Sequence, residues 1–352
     1  MNKKPTNKTL NKQTGLTLVE LMVAMVISLL LLAGTITIFM SNKQSYLVNE
    51  ASSRVQENGR FSLDFLKDDI RMTGFMGCIS PANGNFTNNV DPTQYTANTE
   101  ILNAFNGYTG LNSLKGYSYT SGALPAELTN LGLTAADVTT TPAITQDIII
   151  VKKADSCEGG NVVTPKTNAN FKISSNDKCL IGKDQVVIAS DCLHAGLFAV
   201  TNNPTINPAT NATLTTGANI NSNVKLSGNY GTDAEILIFQ TSIYYIGPGA
   251  SGEPSLFRRT LVSRPAGRVF ENQELIEGIE SMTAEYGVDT DGDSSANYYV
   301  NATGVNTDWD SVISVRITLR ARSSQQTIVQ SNTFADKRLR HTFSETIRIR
   351  NR

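Results

Sequence analysis

Three acids recur at alternate positions in Asp289-Thr290-Asp291-Gly292-Asp293, a pattern that can gather oxygen ligands around calcium. It fails the EF-hand spacing: the glycine stands fourth rather than sixth, and Val300 stands twelfth where a glutamate is required. A turn between two strands is the preferred reading. A non-EF calcium site on Asp289, Asp291 and Asp293 is the alternative, and no other cofactor is expected. Arg316, Arg320, Arg322, Arg348, Arg350 and Arg352 would form a basic stripe if their strands are neighbours. Such a stripe suits DNA phosphates or an acidic partner; a solvated face, or one paired with Glu277, Glu280 and Glu285, is preferred. The only histidines, His194 and His341, lie in no nucleophile or metal motif, and the chain has no glycine-rich phosphate loop and no H-E-x-x-H. An enzyme is not expected. One acid is conspicuous by its surroundings: Glu20 is the only charged residue between Leu16 and Met40.

That apolar run is about 25 residues, and roughly 20 suffice to cross a bilayer as a helix. A carboxylate there is disfavoured by about 2.5–3.5 kcal/mol on insertion scales, so Glu20 needs a partner. Ahead of the run, Met1 to Thr14 carries Lys3, Lys4, Lys8 and Lys12 and no acid. Basic flanks stay cytoplasmic, which puts everything after Met40 outside. Loss of those four lysines would take the formal net charge of the 352-residue chain from −1 to −5, which does not suggest a nucleic-acid protein as a whole. All four cysteines, Cys78, Cys157, Cys179 and Cys192, lie after the run, none in a C-x-x-C pair. In an oxidising periplasm an even count favours disulfides, and four cysteines allow three pairings. The expected one joins Cys157 to Cys179 across a polar loop and Cys78 to Cys192, tying the end of a helix to a strand.

Past Met40 the chain turns polar but keeps a helical period. Leu47, Ala51, Val55, Ser62, Leu66 and Ile70 share one face, while Glu50, Arg54, Glu57, Arg60, Lys67, Asp68 and Arg71 lie mostly off it. No proline falls between Leu16 and Phe75. One helix is therefore predicted from the membrane to Thr73, with a glycine stop at Gly74 and a length of about 85–90 Å. Segment 80–142, rich in Asn, Thr, Gly, Ser and Tyr, reads as loops and short strands of a surface insertion, and 201–229 as a second Asn/Thr-rich loop. Strands are predicted at Asp147–Lys152, Gln185–Ala189, Leu197–Val200 and Ala234–Ile246. Gly247-Pro248-Gly249 then turns the chain into a return strand from Pro254. Glu274 to Asp289 reads as a short amphipathic segment followed by a strand with Met282, Ala284 and Tyr286 on one face. Val312–Arg322 alternates Val315, Ile317, Leu319 and Ala321 inward against arginines outward, and Phe343–Arg350 alternates likewise, as strands with one face on a core do.

The order K-Q-T-G then L-T-L-V-E-L-M-V-A-M resembles the class III signal of type IV prepilins. The resemblance implies cleavage between Gly15 and Leu16, methylation of Leu16, and Glu20 as the fifth residue of the processed chain. Leu16 departs from the phenylalanine most often found first. Glu277-Gly278-Ile279-Glu280-Ser281-Met282, Tyr286 to Asp293, Trp309, Ser314 to Ile317 and the Arg348-Ile349-Arg350-Asn351-Arg352 terminus resemble the PilW family of minor pilins. Gly77-Cys78, Ser190-Asp191-Cys192 and the hairpin around Tyr244 and Phe257 fit the same pattern. The implied fold is α+β: a cleaved leader at 1–15, a transmembrane or filament-core helix at 16–40, its amphipathic continuation at 41–75, and an antiparallel β domain at 76–352. The implied function is priming of type IV pilus assembly in a tip complex, supporting twitching motility, adhesion or DNA uptake. Implied partners are other minor pilins (PilV, PilX, FimU and PilE types), a PilY-type tip adhesin, the major pilin, the prepilin peptidase and the inner-membrane assembly platform. In such filaments Glu20 would meet a neighbour's methylated N-terminal ammonium. The outermost tip pilin often lacks this glutamate, so its presence implies an internal place. The alternatives are a GspJ-type pseudopilin of type II secretion and a tip adhesin or DNA-binding module.

Overall fold

The computed structural model describes residues 15–79, 85–91, 112–138, 146–167, 170–218, 220–226, 228–264, 267–305, 308–324, 326 and 335–351. The leader up to Thr14, much of segment 80–142 and Arg352 lie outside them.

Helix α1 runs Leu18–Arg71, 54 residues and about 80 Å. Thr17 caps it: its extended backbone stands at the entry, and its Oγ1 accepts from the Glu20 N–H at 3.3 Å. It ends where Gly74 takes a left-handed φ of 75°, and the Gly74 N–H donates to the Lys152 carbonyl. The large apolar side chains from Leu16 to Met40 are exposed, whereas Ala51, Val55, Gly59, Ser62, Leu63, Leu66, Asp69 and Ile70 are buried. The two halves differ because only the second alternates apolar and charged faces. Leu66 and Ile70 are fully buried, and each such side chain contributes roughly 1.5–3 kcal/mol. Gly59 fills the gap in the apolar face between Val55 and Ser62; a Cβ there would stand 2.2 Å from the Phe343 ring, so glycine sets how closely the helix approaches the sheet.

The strands form two sheets. In chain order they are β1 Phe86–Asn88, β2 Leu114–Tyr119, β3 Gln146–Thr167, β4 Asn170–Ile173, β5 Val186–Ser190, β6 Ala195–Ala199, β7 Ala212–Thr215, β8 Glu235–Pro248, β9 Pro254–Arg264, β10 Gly267–Glu277, β11 Ile279–Val288, β12 Tyr298–Val300, β13 Val312–Arg322 and β14 Arg340–Arg348. Short helices α2 (Ala126–Asn130) and α3 (Ala302–Val305) interrupt them. The ten-stranded sheet centres on β8 and β3, with β5, β6 and β1 on one side, β4 and β7 beyond, and β2, β9 and β10 attached at the other end. Its pairings are antiparallel except β1 with β6. The second sheet is β12-β11-β13-β14, antiparallel throughout. The architecture is α+β, a long helix followed by a mostly antiparallel β domain.

Strands β3 and β8 are covered on both faces. Ile148, Ile150, Ile243 and Tyr245 pack under α2 and its flanking segment, with Leu128, Leu131 and Leu133. Ile149, Val151, Tyr244 and Ile246 pack against α1 and the second sheet, with Leu66, Ile70, Tyr286 and Ile317. Double coverage is why β3 begins with an unbroken apolar run.

Several expectations change. Among the described residues, 112–138 is not a surface insertion: Leu114, Tyr119, Leu124, Leu128 and Val138 are core, and β2 pairs with β3. The 201–229 loop contains β7, whose Ala212 and Leu214 are buried. The strand predicted at 147–152 extends to Thr167 because β8 and then β4 offer it further partners. Residues 274–277 form no separate amphipathic segment; they close β10, whose ladder to β9 carries a bulge between Glu274 and Ile276. In each case a partner strand decides the state, which local composition does not record.

Candidate functional site

At the N-terminus, Gly15 and Leu16 precede α1, exposed, and Glu20 lies in its first turn, also exposed. The T-x-x-E spacing of Thr17 and Glu20 is the sequence signal of a capped helix start. The helix is long and apolar enough to cross a membrane, and its most apolar window is wholly unburied against the rest of the chain.

In the β domain lies a network of arginines and acids. Strand β13 presents Arg316, Thr318, Arg320 and Arg322 on the face opposite its core residues, and β14 sets Thr346, Ser344, Thr342 and Arg340 directly beside them. Arg316 pairs with Glu285 at 3.0 Å and stacks over the Tyr299 ring. Glu280, nearly buried, receives Arg340 at 2.9 Å, Arg320 at 2.9 Å and Arg322 at 3.4 Å. Glu253, from the turn between β8 and β9, receives Arg322 at 2.9 Å and Arg338 at 2.7 Å. Asp336 holds Arg340 at 2.7 Å. The network therefore ties the ten-stranded sheet to the second sheet. It also takes up three arginines of the row read from the sequence. Arg316, Arg320 and Arg322 are taken by carboxylates, and Arg348 donates to the Ser294 carbonyl. Glu280 and Glu285 pair as expected, but Glu277 does not join them; its carbonyl accepts from Asn58 of α1. Glu253, Asp336, Arg338 and Arg340 were missed, and no periodicity in the sequence marks them.

Two comparisons with known families bear on this arrangement. Residues 243–351, which span the end of β8 through β14 and hold every member of the network, match the family model PilW, Type IV Pilus-assembly protein W. Residues 10–36 match the prokaryotic N-terminal methylation motif. The two matches are consistent with a PilW-family pilin. No curated protein and no solved structure matches the chain.

The acidic motif after β11 forms a turn leading to β12. Asp289 accepts the N–H groups of Gly292 and Ser294 at 2.7 and 2.8 Å, Asp293 accepts that of Ser295, and Asn297 donates to Asp291. The three carboxylates can also converge to within 4.8 Å, so a cation remains compatible with them, but local backbone donors already satisfy them. The cysteines form Cys78–Cys192 and Cys157–Cys179. His194 packs edge-on to Tyr230, and His341 edge-on to Phe343.

The arginine network makes stability fall in acid. The Arg340 hydrogen bond leads in pulling the Asp336 carboxyl down to about 2. Burial alone would raise Glu253 and Glu280, but their arginine partners outweigh it and hold both below the ordinary glutamate value. A carboxyl with a lower pKa folded than unfolded binds fewer protons in the folded state. Its stabilising contribution is thus complete above about pH 4 and is lost as the pH falls toward about 2. Unfolding midpoints measured across that window should drop for the wild type and drop less for Glu253→Gln. Parallel curves would show that Glu253 is not part of the response.

Proposed function

We propose that this pilin is a minor subunit that helps to prime type IV pilus assembly within a tip complex. The observation that carries this reading is the division of α1: an apolar, unpartnered first half with a lone carboxylate in its opening turn, and a second half that serves as the spine of a β domain. Apolar helices of neighbouring subunits would pack laterally along the first half. Glu20 would meet the methylated N-terminal ammonium of the adjacent subunit after cleavage between Gly15 and Leu16. In a low-dielectric bundle such a pair attracts strongly, while an unpaired carboxylate is strongly disfavoured, so Glu20 would set docking register. Before assembly the chain would sit in the inner membrane with its β domain in the periplasm. The partners would be other minor pilins, a PilY-type adhesin and the major pilin. Glu20 would favour an internal place in the complex.

The test is the number of surface pili per cell, by electron microscopy, in a strain lacking this chain and complemented with wild type or Glu20→Ala. Pili should become rare without the chain, return with wild type and stay rare with Glu20→Ala. Normal piliation without the chain would reject priming and favour a pseudopilin role in type II secretion.

A further inference from the structure

Strand β3 carries a lysine where the sheet is otherwise apolar. Lys152 follows Ile148–Val151 and is only 7% exposed. Its backbone is in ordinary use: the N–H donates to the Ser113 carbonyl and the carbonyl accepts from Gly74. Its ammonium makes no hydrogen bond or ion pair among the described residues. The neighbouring carboxylate, Glu127 of α2, is occupied by Lys115 and the Tyr117 hydroxyl. The Glu127 charge acts on this ammonium without a hydrogen bond, so burial still costs it several kcal/mol, which an apolar residue here would avoid. The side chain lines an open cleft of about 480 Å³, shared with Lys115, Glu127, Asn112, Asn130 and Trp309, with Asp310 beside the tryptophan.

We propose that this cleft binds a small oxyanion, a phosphate or a carboxylate, held between the Lys152 and Lys115 ammonium groups beside the Trp309 indole. Two amines set by adjacent strands, one immobilised by burial and one oriented by Glu127, form a preorganised pair of charge-assisted donors. The Tyr117–Glu127 bond keeps the acid turned toward Lys115. Burial also pushes the Lys152 amine below its ordinary value, against the opposing pull of the Glu127 charge. The site lies outside the region of the PilW match apart from Trp309 and Asp310, and it is independent of Glu20 and of priming.

Trp309 is the only tryptophan of the chain, so its fluorescence reports on the cleft directly. The full chain in detergent micelles would be titrated with sodium phosphate and, separately, with sodium succinate, each against sodium chloride at equal ionic strength. The expected result is a saturable change in Trp309 emission with one of the two anions. The anion that saturates assigns the ligand as a phosphate or a carboxylate. Lys152→Gln should weaken binding by about tenfold or more, the effect of losing one hydrogen bond to a charged group, and the exposed Lys183→Gln should leave it unchanged. If Lys152→Gln does not fold, Lys115→Gln, altered at a half-exposed side chain, should weaken binding in the same direction. No saturable change beyond chloride with either anion would overturn the proposal. Equal binding by the wild type and the folded variants would also overturn it.

Discussion

Asp69→Ala is expected to destabilise the folded chain by about 3 kcal/mol, near the lower end of the roughly 3–5 kcal/mol typical when one partner of a buried charge pair is removed. Asp69 sits on the buried face of α1, one turn before its end, and is 7% exposed. The Tyr244 hydroxyl of β8 donates to its Oδ2, and Lys153 of β3 stands 3.0 Å from its Oδ1. Arg258 of β9 approaches to 4.0 Å. One carboxylate thus joins the helix to three strands of the ten-stranded sheet. Burial, followed by the Asp69 charge, raises the Tyr244 hydroxyl well above its ordinary value, so it remains a donor at neutral pH. Alanine would leave that fully buried phenol without its acceptor. Lys153 would keep Asp155, 2.8 Å away, which is why the lower end of the range is expected. Asp69→Asn preserves an acceptor and should cost less; Tyr244→Phe should cost about 0.5–1.5 kcal/mol, the worth of one hydrogen bond. Chemical denaturation of the full chain in detergent would rank the three. A loss below about 0.5 kcal/mol for Asp69→Ala, the size of an ordinary surface substitution, would mean that apolar packing alone docks the helix.

The second large effect concerns the disulfides. Cys78–Cys192 spans 114 residues and Cys157–Cys179 spans 22. In the chain-entropy account, stabilisation grows with the closed loop, to about 4.7 kcal/mol for a 100-residue loop against about 3 kcal/mol for a 15-residue one. The Cys78→Ser/Cys192→Ser double variant should therefore lose more than Cys157→Ser/Cys179→Ser, by about 1–2 kcal/mol. The long bridge also fastens the segment after α1, whose Met76 and Ile79 are core, to the turn between β5 and β6. Thermal unfolding of both variants, with and without reductant, would measure the difference. Equal losses would mean that the long loop is already constrained in the unfolded chain.

Much of the helix was legible because its signals are local. Composition separates its apolar half, the Ala51–Val55–Leu66–Ile70 spacing marks its buried face, and Gly74 ends it. The alternation of β13 was equally plain, since a strand with one face on a core writes its burial into every second residue. Strand β10 was not legible at 274–277: adjacent Leu275 and Ile276 suit a helix face as well as a bulge, and only the β9 ladder separates the two. Likewise 112–138 has a loop-like composition, yet Leu114 and Tyr119 lie on a strand of the ten-stranded sheet and Leu124, Leu128 and Val138 join the core on its face, an apolar setting that no window of their own sequence reveals.

The site divides in the same way. The residues read from local pattern alone were Glu20 in its apolar run, the inward row of β13 and the acids of the Asp289 turn. Each depends on neighbours a few positions away, and the chain carries that information directly. Tertiary structure decided which charges meet. Arg322 on β13 found Glu253, far back in the chain, beside the expected Glu280, and Asp69 and Lys152 became buried at contacts between elements distant in sequence. Electrostatic pairing acts through space with no sequence period, so its partners exist only once strand register and sheet packing have brought them within a few ångströms.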